Sequence, residues 1–300
     1  MTGVPRSVAI PFAIACIGIA SFTLMDAFMK GLSIAIGAYN ATLWRTVAGS
    51  VLGGAIFLAR RHPWPALSTI RLHLLRGAIV SVMAVLWFWA IARVPLAEAI
   101  AISFIAPLIA IYLASLTLGE KVRPAALLGS LLGLSGVALM VATRATGRYD
   151  AEVLWGLGAV LVSAVLYACN LVLMRKQAQI ASPVEVGFFQ NLTTCGFLLL
   201  AAPFFAELPD AEHARAIAIS AALALLSLML LSWAYARAEA QSLVVVEYTG
   251  FGWGALFGWL FFAEAIGWWV VAGTGLIVFG CYLAVRPPRA PAELALEANL

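Results

Sequence analysis

The fold this sequence predicts is all-α and integral to a membrane, with ten transmembrane helices arranged as two inverted repeats of five. Three observations predict it: an apolar composition, ten apolar segments of membrane-crossing length, and a match of the chain to itself at a fixed offset. Of 300 residues, 64% are hydrophobic and 11% charged, against roughly a quarter charged in soluble domains. Such a chain cannot cover itself with polar surface, so most of its solvent is lipid. The formal charge of +4 and the pI near 9.0 do not point to nucleic acid. The basic residues cluster at the ends of apolar stretches, where membrane proteins carry them.

A helix needs about 20 apolar residues to cross the hydrocarbon core. Residues 8–29, 38–59, 72–92, 96–118, 124–143, 153–174, 184–206, 214–236, 242–262 and 266–285 qualify. The first segment is longer than the ~7–15 residue apolar core of a signal peptide, so it reads as a span. Polar turns separate the segments, among them Arg60, Arg61, His62 and Pro63, then residues 120–124, 144–150 and 207–212. The organisation is a first repeat over 1–147, a second over 148–288 and a tail over 289–300. No loop is long enough to be a soluble domain.

Cys16, Cys169, Cys195 and Cys281 all fall in apolar segments without a CxxC or Cys/His spacing, so neither a disulfide nor a metal site is expected. No cofactor motif is present either. Orientation follows from Lys and Arg counted by side. The side holding both termini carries 12, including Arg76, and the other carries 5, including Lys30. Both termini are therefore expected in the cytoplasm, and the acidic loop with Glu207, Asp210 and Glu212 outside.

Sliding the chain by 144 residues places Trp89 on Trp233, Arg93 on Arg237, Glu120 on Glu264, Gly129 on Gly273 and Gly136 on Gly280. Matches of Trp, Arg, Glu and Gly carry more weight than those of Ala or Leu in an apolar chain. Five spans per half is odd, so the second half enters from the opposite side. Many secondary transporters are built this way, because exchanging the conformations of the halves exchanges outward-open and inward-open states.

The run from Leu96, Ala97 and Glu98 through Pro107 and Leu108, then Gly119, Glu120 and Lys121, and Gly129 to Leu139, resembles the EamA-type repeat. That repeat defines the ten-helix branch of the drug/metabolite transporter superfamily, and the resemblance covers essentially the whole chain. Within it the chain looks most like inner-membrane amino-acid exporters of the YddG kind, which handle aromatic amino acids. The resemblance implies export from the cytoplasm without ATP, with amino acids as substrates. Broad export of other drugs or metabolites is the alternative. The small multidrug relatives carry an acid in mid first helix, whereas residues 8–23 here hold none. Span one therefore lacks the mid-helix acid that this chemistry of proton exchange uses, and facilitated diffusion is equally compatible.

A transporter's site is best sought where helices are interrupted at corresponding places in both halves. Pro107 falls mid-span four, and its repeat partner Phe251 is flanked by Gly250 and Gly252. These are either hinges around a central cavity or simple packing kinks. Gly250, Gly254 and Gly258, like Gly129 and Gly133, have the spacing that lets helices approach closely. Ionisable groups inside spans mark function or a structural pair. Glu247, two turns into span nine, is a candidate for a substrate ammonium or a proton, or else a structural carboxylate. Arg45, Glu98 and Asp26 could form a structural ion-pair cluster, and Asn170 stands where the second half would repeat Asp26. Tyr167, Tyr248 and Trp253 are candidates to line the cavity, with Ser103 near the span-four interruption. Trp89 and Trp233 coincide in the repeat and read as fold packing.

Two other function classes fit less well. An enzyme would need a His, Asp or Ser constellation, and His62, His73 and His213 are scattered in or beside loops. A channel usually gathers rings of charge or carbonyls from several subunits, whereas one chain here already holds both halves. A monomer is compatible with that. The expected partners are membrane lipid and a small-molecule substrate.

Overall fold

The computed structural model of the chain describes residues 9–118, 151–237 and 249–285, with isolated positions at 128, 131–132, 135–136, 139 and 246. Helix α1 spans Ala9–Ile36 and passes the expected end at residue 29. Lys30 does not stop it, because the side chain is buried and satisfied within the protein: Nζ donates to the Val94 carbonyl at 2.9 Å and to Glu264. The helix ends at Gly37, whose φ of 79° lies in the left-handed region that glycine enters at little cost. Helix α2, Ala38–Ala59, has the predicted bounds.

Helix α3, Leu67–Ile91, starts a full turn earlier than expected, so Arg71 joins it and His73 and Arg76, expected at the edge of the span, lie well inside. Thr69, His73 and Arg76 stand at i, i+4 and i+7, the spacing of one helix face, and all three are buried. Removing Lys30 and Arg76 from the loop tally leaves 11 basic residues against 4, so the asymmetry survives.

Span four divides into α4, Leu96–Ser103, and α5, Ile105–Leu118. The break falls at Phe104, not at Pro107. Proline at position 107 has no N–H to donate to the Ser103 carbonyl, so the helix lacks that bond one turn past the break. The Phe104 N–H bonds the Ala101 carbonyl in a tighter turn, at 3.3 Å.

The second half follows as α6 (Ala151–Ile180), α7 (Pro183–Leu199), the short α8 (Ala202–Phe205), a single 3₁₀ turn Ala211–His213, α9 (Ala214–Tyr235), α10 (Thr249–Phe262) and α11 (Trp268–Val285). Ser182 opens α7 by accepting the Glu185 N–H at 3.2 Å, with Pro183 at the first helical position, where its missing N–H costs nothing. Among the described residues, five helices are long and apolar enough to cross a membrane by themselves. The expected fifth span, 124–143, lies outside the described residues apart from isolated helical positions, as do Gly129, Gly133, Glu120 and the 289–300 tail.

Packing obeys the repeat. Helix α1 lies against α9, and its counterpart α6 lies against α3; α3 meets α7 as α2 meets α9. The self-related pairs α2–α7 and α4–α10 also touch. These contacts between the halves thus come as inverted partners. Small residues permit the closest approaches: a Cβ on Gly77 would strike the Thr193 side chain, and one on Gly49 the Asn191 amide. Apolar side chains such as Val51 and Leu75 face outward, at 68% and 53% exposure. Polar ones such as Thr194, Ser220 and Gln177 are buried, as expected where the surroundings are lipid.

Candidate functional site

A central cavity lies between the halves, with an empty volume of about 1320 Å³ counted out to its opening. The first half lines it from α1, α2, α3 and α4, and the second from α6, α7, α9 and α10. Much of its wall is apolar or aromatic: Ile19, Phe22, Trp87, Phe88, Ile100, Phe104 and Leu231. Into this wall are set a few polar groups, the mixture expected of a small-molecule site.

Three of those groups are charged side chains. Asp26 on α1 accepts the Trp87 indole N–H at 3.1 Å. Arg45, two turns into α2, is within electrostatic reach of Asp26 and sits over the Phe88 ring at 5.7 Å. Arg76 on α3 is held tightly; its Nε donates to Asn170 Oδ1 at 2.7 Å and its Nη1 to Gln177 Oε1. From Gln177 the network continues through the His73 ring, at 2.5 Å, to Glu185 at 3.1 Å. Residues of α3, α6 and α7 are thereby joined in one chain of polar contacts from the cavity towards the membrane face where α3 and α7 begin. A buried cation demands this satisfaction, because an unpaired one costs several kcal/mol.

Of the sequence candidates, Tyr167, Asn170 and Ser103 line the cavity, as does Gly250. Asp26 and Arg45 line it too, whereas Glu98 is buried on α4 and is not part of the lining. Gly252 points away, with nothing within 4 Å of an added Cβ. Trp253 is also outside the lining; it stacks with Phe257 at 6.1 Å and packs on the cluster around Ala15 and Leu171. Pro107 belongs to α5, one turn past the break. Glu247 and Tyr248 lie outside the described residues.

Sequence reasoning missed Arg76, His73, Gln190, Asn191 and Thr194. His73, read from the sequence as lying in or beside a loop, is one of the most buried side chains of α3, at 1% exposure. The available signals were the polar face Thr69, His73 and Arg76, and the run Gln190, Asn191, Thr193 and Thr194 inside an otherwise apolar span, where polar groups are expensive. At the entrance to α9, Asp210, Glu212 and His213 bring potential metal donors together on an exposed turn.

With this geometry in place, comparison with known proteins identifies the family. Residues 10–142 and 154–286 each match the EamA-like transporter family. The chain belongs to that family. It is 28% identical over 273 residues to the pseudopaline exporter CntI of Pseudomonas aeruginosa, covering 90% of this chain and 93% of that one. It is likewise 28% identical to the aromatic amino acid exporter YddG of Ancylobacter novellus, over 51% of this chain and 54% of that one. A riboflavin transporter of Brucella anthropi matches at 28% identity over 46% of this chain and 44% of its own length. A solved crystal structure superposes with a TM-score of 0.62 at 21% identity, covering 91% of this chain and 98% of the other, a likeness of fold. The two EamA repeats correspond to the two inverted halves, and the chain is a membrane transporter of small molecules.

Proposed function

We propose that this transporter exports amino acids, aromatic ones included, from the cytoplasm across the inner membrane by alternating access. The observation that carries this reading is the cavity at the interface of the halves. Its aromatic wall suits an apolar or aromatic side chain, and its few charges suit the polar end of a zwitterion. Both termini lie in the cytoplasm in this reading, consistent with the basic-residue asymmetry. The halves rock about the break at Phe104, near Pro107, and about Gly250 and Gly252 in α10.

The direct test is counterflow in proteoliposomes loaded with unlabelled amino acids and supplied with a radiolabelled panel. Accumulation of phenylalanine, tyrosine or tryptophan is expected, in the absence of ATP. Accumulation of sugars or nucleosides alone would remove the amino-acid assignment. A second reading is export of non-amino-acid metabolites. The different cargoes named for the relatives favour it, and a riboflavin arm in the same panel distinguishes it.

A further inference from the structure

We propose that Arg45 anchors the substrate's carboxylate in the central cavity, while Asp26 beside it, with Gln190, receives the ammonium group. This deepens the amino-acid reading and rests on it. The starting point is an imbalance among the buried cations. Lys30 is bonded to Val94 and Glu264, and Arg76 to Asn170 and Gln177. Arg45 is equally buried, at 7% exposure, yet its Nε has no hydrogen-bond partner among the described residues. A guanidinium carries five N–H donors in a planar fork matched to a carboxylate, and burying them unused is costly.

The described neighbours of Arg45 supply charge and stacking, and none of them takes up its Nε. The Phe88 ring contributes a π face, and Asp26 a nearby negative charge. Among the described residues, however, Asp26 accepts its hydrogen bond from Trp87, so the two opposite charges are adjacent without being bonded to each other. A second unused group faces the same space from α7. Gln190 donates through Nε2 to Thr194 Oγ1 at 2.9 Å, and its Oε1, at 5% exposure, has no donor among the described residues.

An α-amino acid presents the complementary pair on a single carbon. Its carboxylate accepts from the Arg45 fork, and its ammonium donates to Asp26 and to Gln190 Oε1. A molecule lacking either group leaves a buried charge unpaired, which is how such sites reject near-isosteres. The side chain then lies on the aromatic and aliphatic wall, so the charged end sets the class and the wall admits many members.

The test measures binding to purified, intact transporter by quenching of tryptophan fluorescence. The ligands are L-phenylalanine, 2-phenylethylamine, which lacks the carboxylate, and 3-phenylpropionate, which lacks the ammonium. Wild type is expected to bind phenylalanine about 10-fold or more tighter than either analogue, the effect of one charged hydrogen-bond partner. Arg45→Gln should lose a similar factor for phenylalanine and 3-phenylpropionate while 2-phenylethylamine changes about twofold or less; Asp26→Asn should reverse the pattern, and Arg45→Lys should recover part of the loss. If Arg45→Gln does not fold, wild type against the three ligands, together with Arg45→Lys, still decides. Wild-type affinity for phenylalanine in Arg45→Gln, or equal affinity of wild type for phenylalanine and 2-phenylethylamine, overturns the anchor and leaves amino-acid export standing. Arg45-dependent binding of 3-phenylpropionate without binding of phenylalanine upholds the anchor and removes the amino-acid reading. Binding of neither acid overturns both.

Discussion

The buried Lys30 and the half-buried Glu264, far apart in the sequence, form an ion pair that ties the end of α1 to the turn between α10 and α11. The same carboxylate accepts the backbone N–H of Leu96 at 2.8 Å, one of the unsatisfied donors at the start of α4. Lys30 also reaches the Val94 carbonyl in the turn before α4. One acid therefore gathers α1, the α3–α4 turn and α10 on the membrane face opposite the Arg76–Glu185 network. Glu264→Gln is expected to lower stability by about 1–3 kcal/mol, the cost of leaving the buried Lys30 ammonium without its charged partner. The double change Lys30→Met with Glu264→Gln should be milder than Glu264→Gln alone, since no charge is then left unpaired. Thermal unfolding in detergent measures both.

Glu264 also shows how far the sequence can be read. It stands out there as the repeat partner of Glu120, which marks it as part of the fold and says nothing of Lys30. The bounds of α2 and the small-residue face of α10 are legible because lipid imposes length and helix approach imposes glycine. A Cβ on Gly254 would meet Ile100 Cδ1 at 2.5 Å. Positions such as Tyr167 and Asn170 stand out by their polarity within apolar spans. What stays hidden is where a basic residue counts as loop. Lys30 and Arg76 both look like span ends, but each is buried because a partner distant in sequence takes its donors. Trp253 fails as a cavity residue for a related reason: an aromatic on a spanning helix can face a neighbouring helix as readily as the centre.

Close helix contact makes a second prediction. Gly77→Ala would drive a methyl group into Thr193, whose backbone carbon lies 3.1 Å from the added Cβ, so α3 and α7 must separate. The expected loss is about 1–3 kcal/mol, typical of overpacking. Gly158→Ala is the control, because nothing lies within 4 Å of its added Cβ. Equal unfolding midpoints for the two variants would refute this account of the α3–α7 contact.

Topology can be read with impermeant thiol reagents in a cysteine-free background. Cysteines at Ala66 and Ala211 fall at exposed positions in turns on opposite faces. Position 211 is expected to label in intact cells, and position 66 only after permeabilisation. The reverse pattern would invert the orientation and, with it, the direction of export.

The break at Phe104 predicts a functional effect of Pro107. Pro107→Ala restores the donor that can close on the Ser103 carbonyl, so α4 and α5 should join into a straighter helix. Transport should slow while the unfolding midpoint holds or rises, because a helix-breaking residue has been removed. A variant that folds and exchanges substrate at the wild-type rate would mean that the break is only a packing feature.

Selectivity provides the last prediction, and it contrasts two aromatics. Tyr167 lines the cavity, whereas Trp253 stacks on Phe257 outside the lining. An aromatic pair contributes about 0.5–1.5 kcal/mol beyond the area it buries, equivalent to roughly 2- to 13-fold in affinity. Tyr167→Ala should therefore weaken phenylalanine and tryptophan by about that factor while changing alanine little, since alanine has no ring to meet the wall. Trp253→Ala should lower stability by opening a gap between α10 and its neighbours, with the ratio of phenylalanine to alanine transport unchanged. Competition of each unlabelled amino acid against a common labelled substrate yields both ratios. If Trp253→Ala shifts the ratio and Tyr167→Ala does not, substrate lies against α10 rather than between α1, α3 and α6, and the cavity described here is not where side chains are sorted.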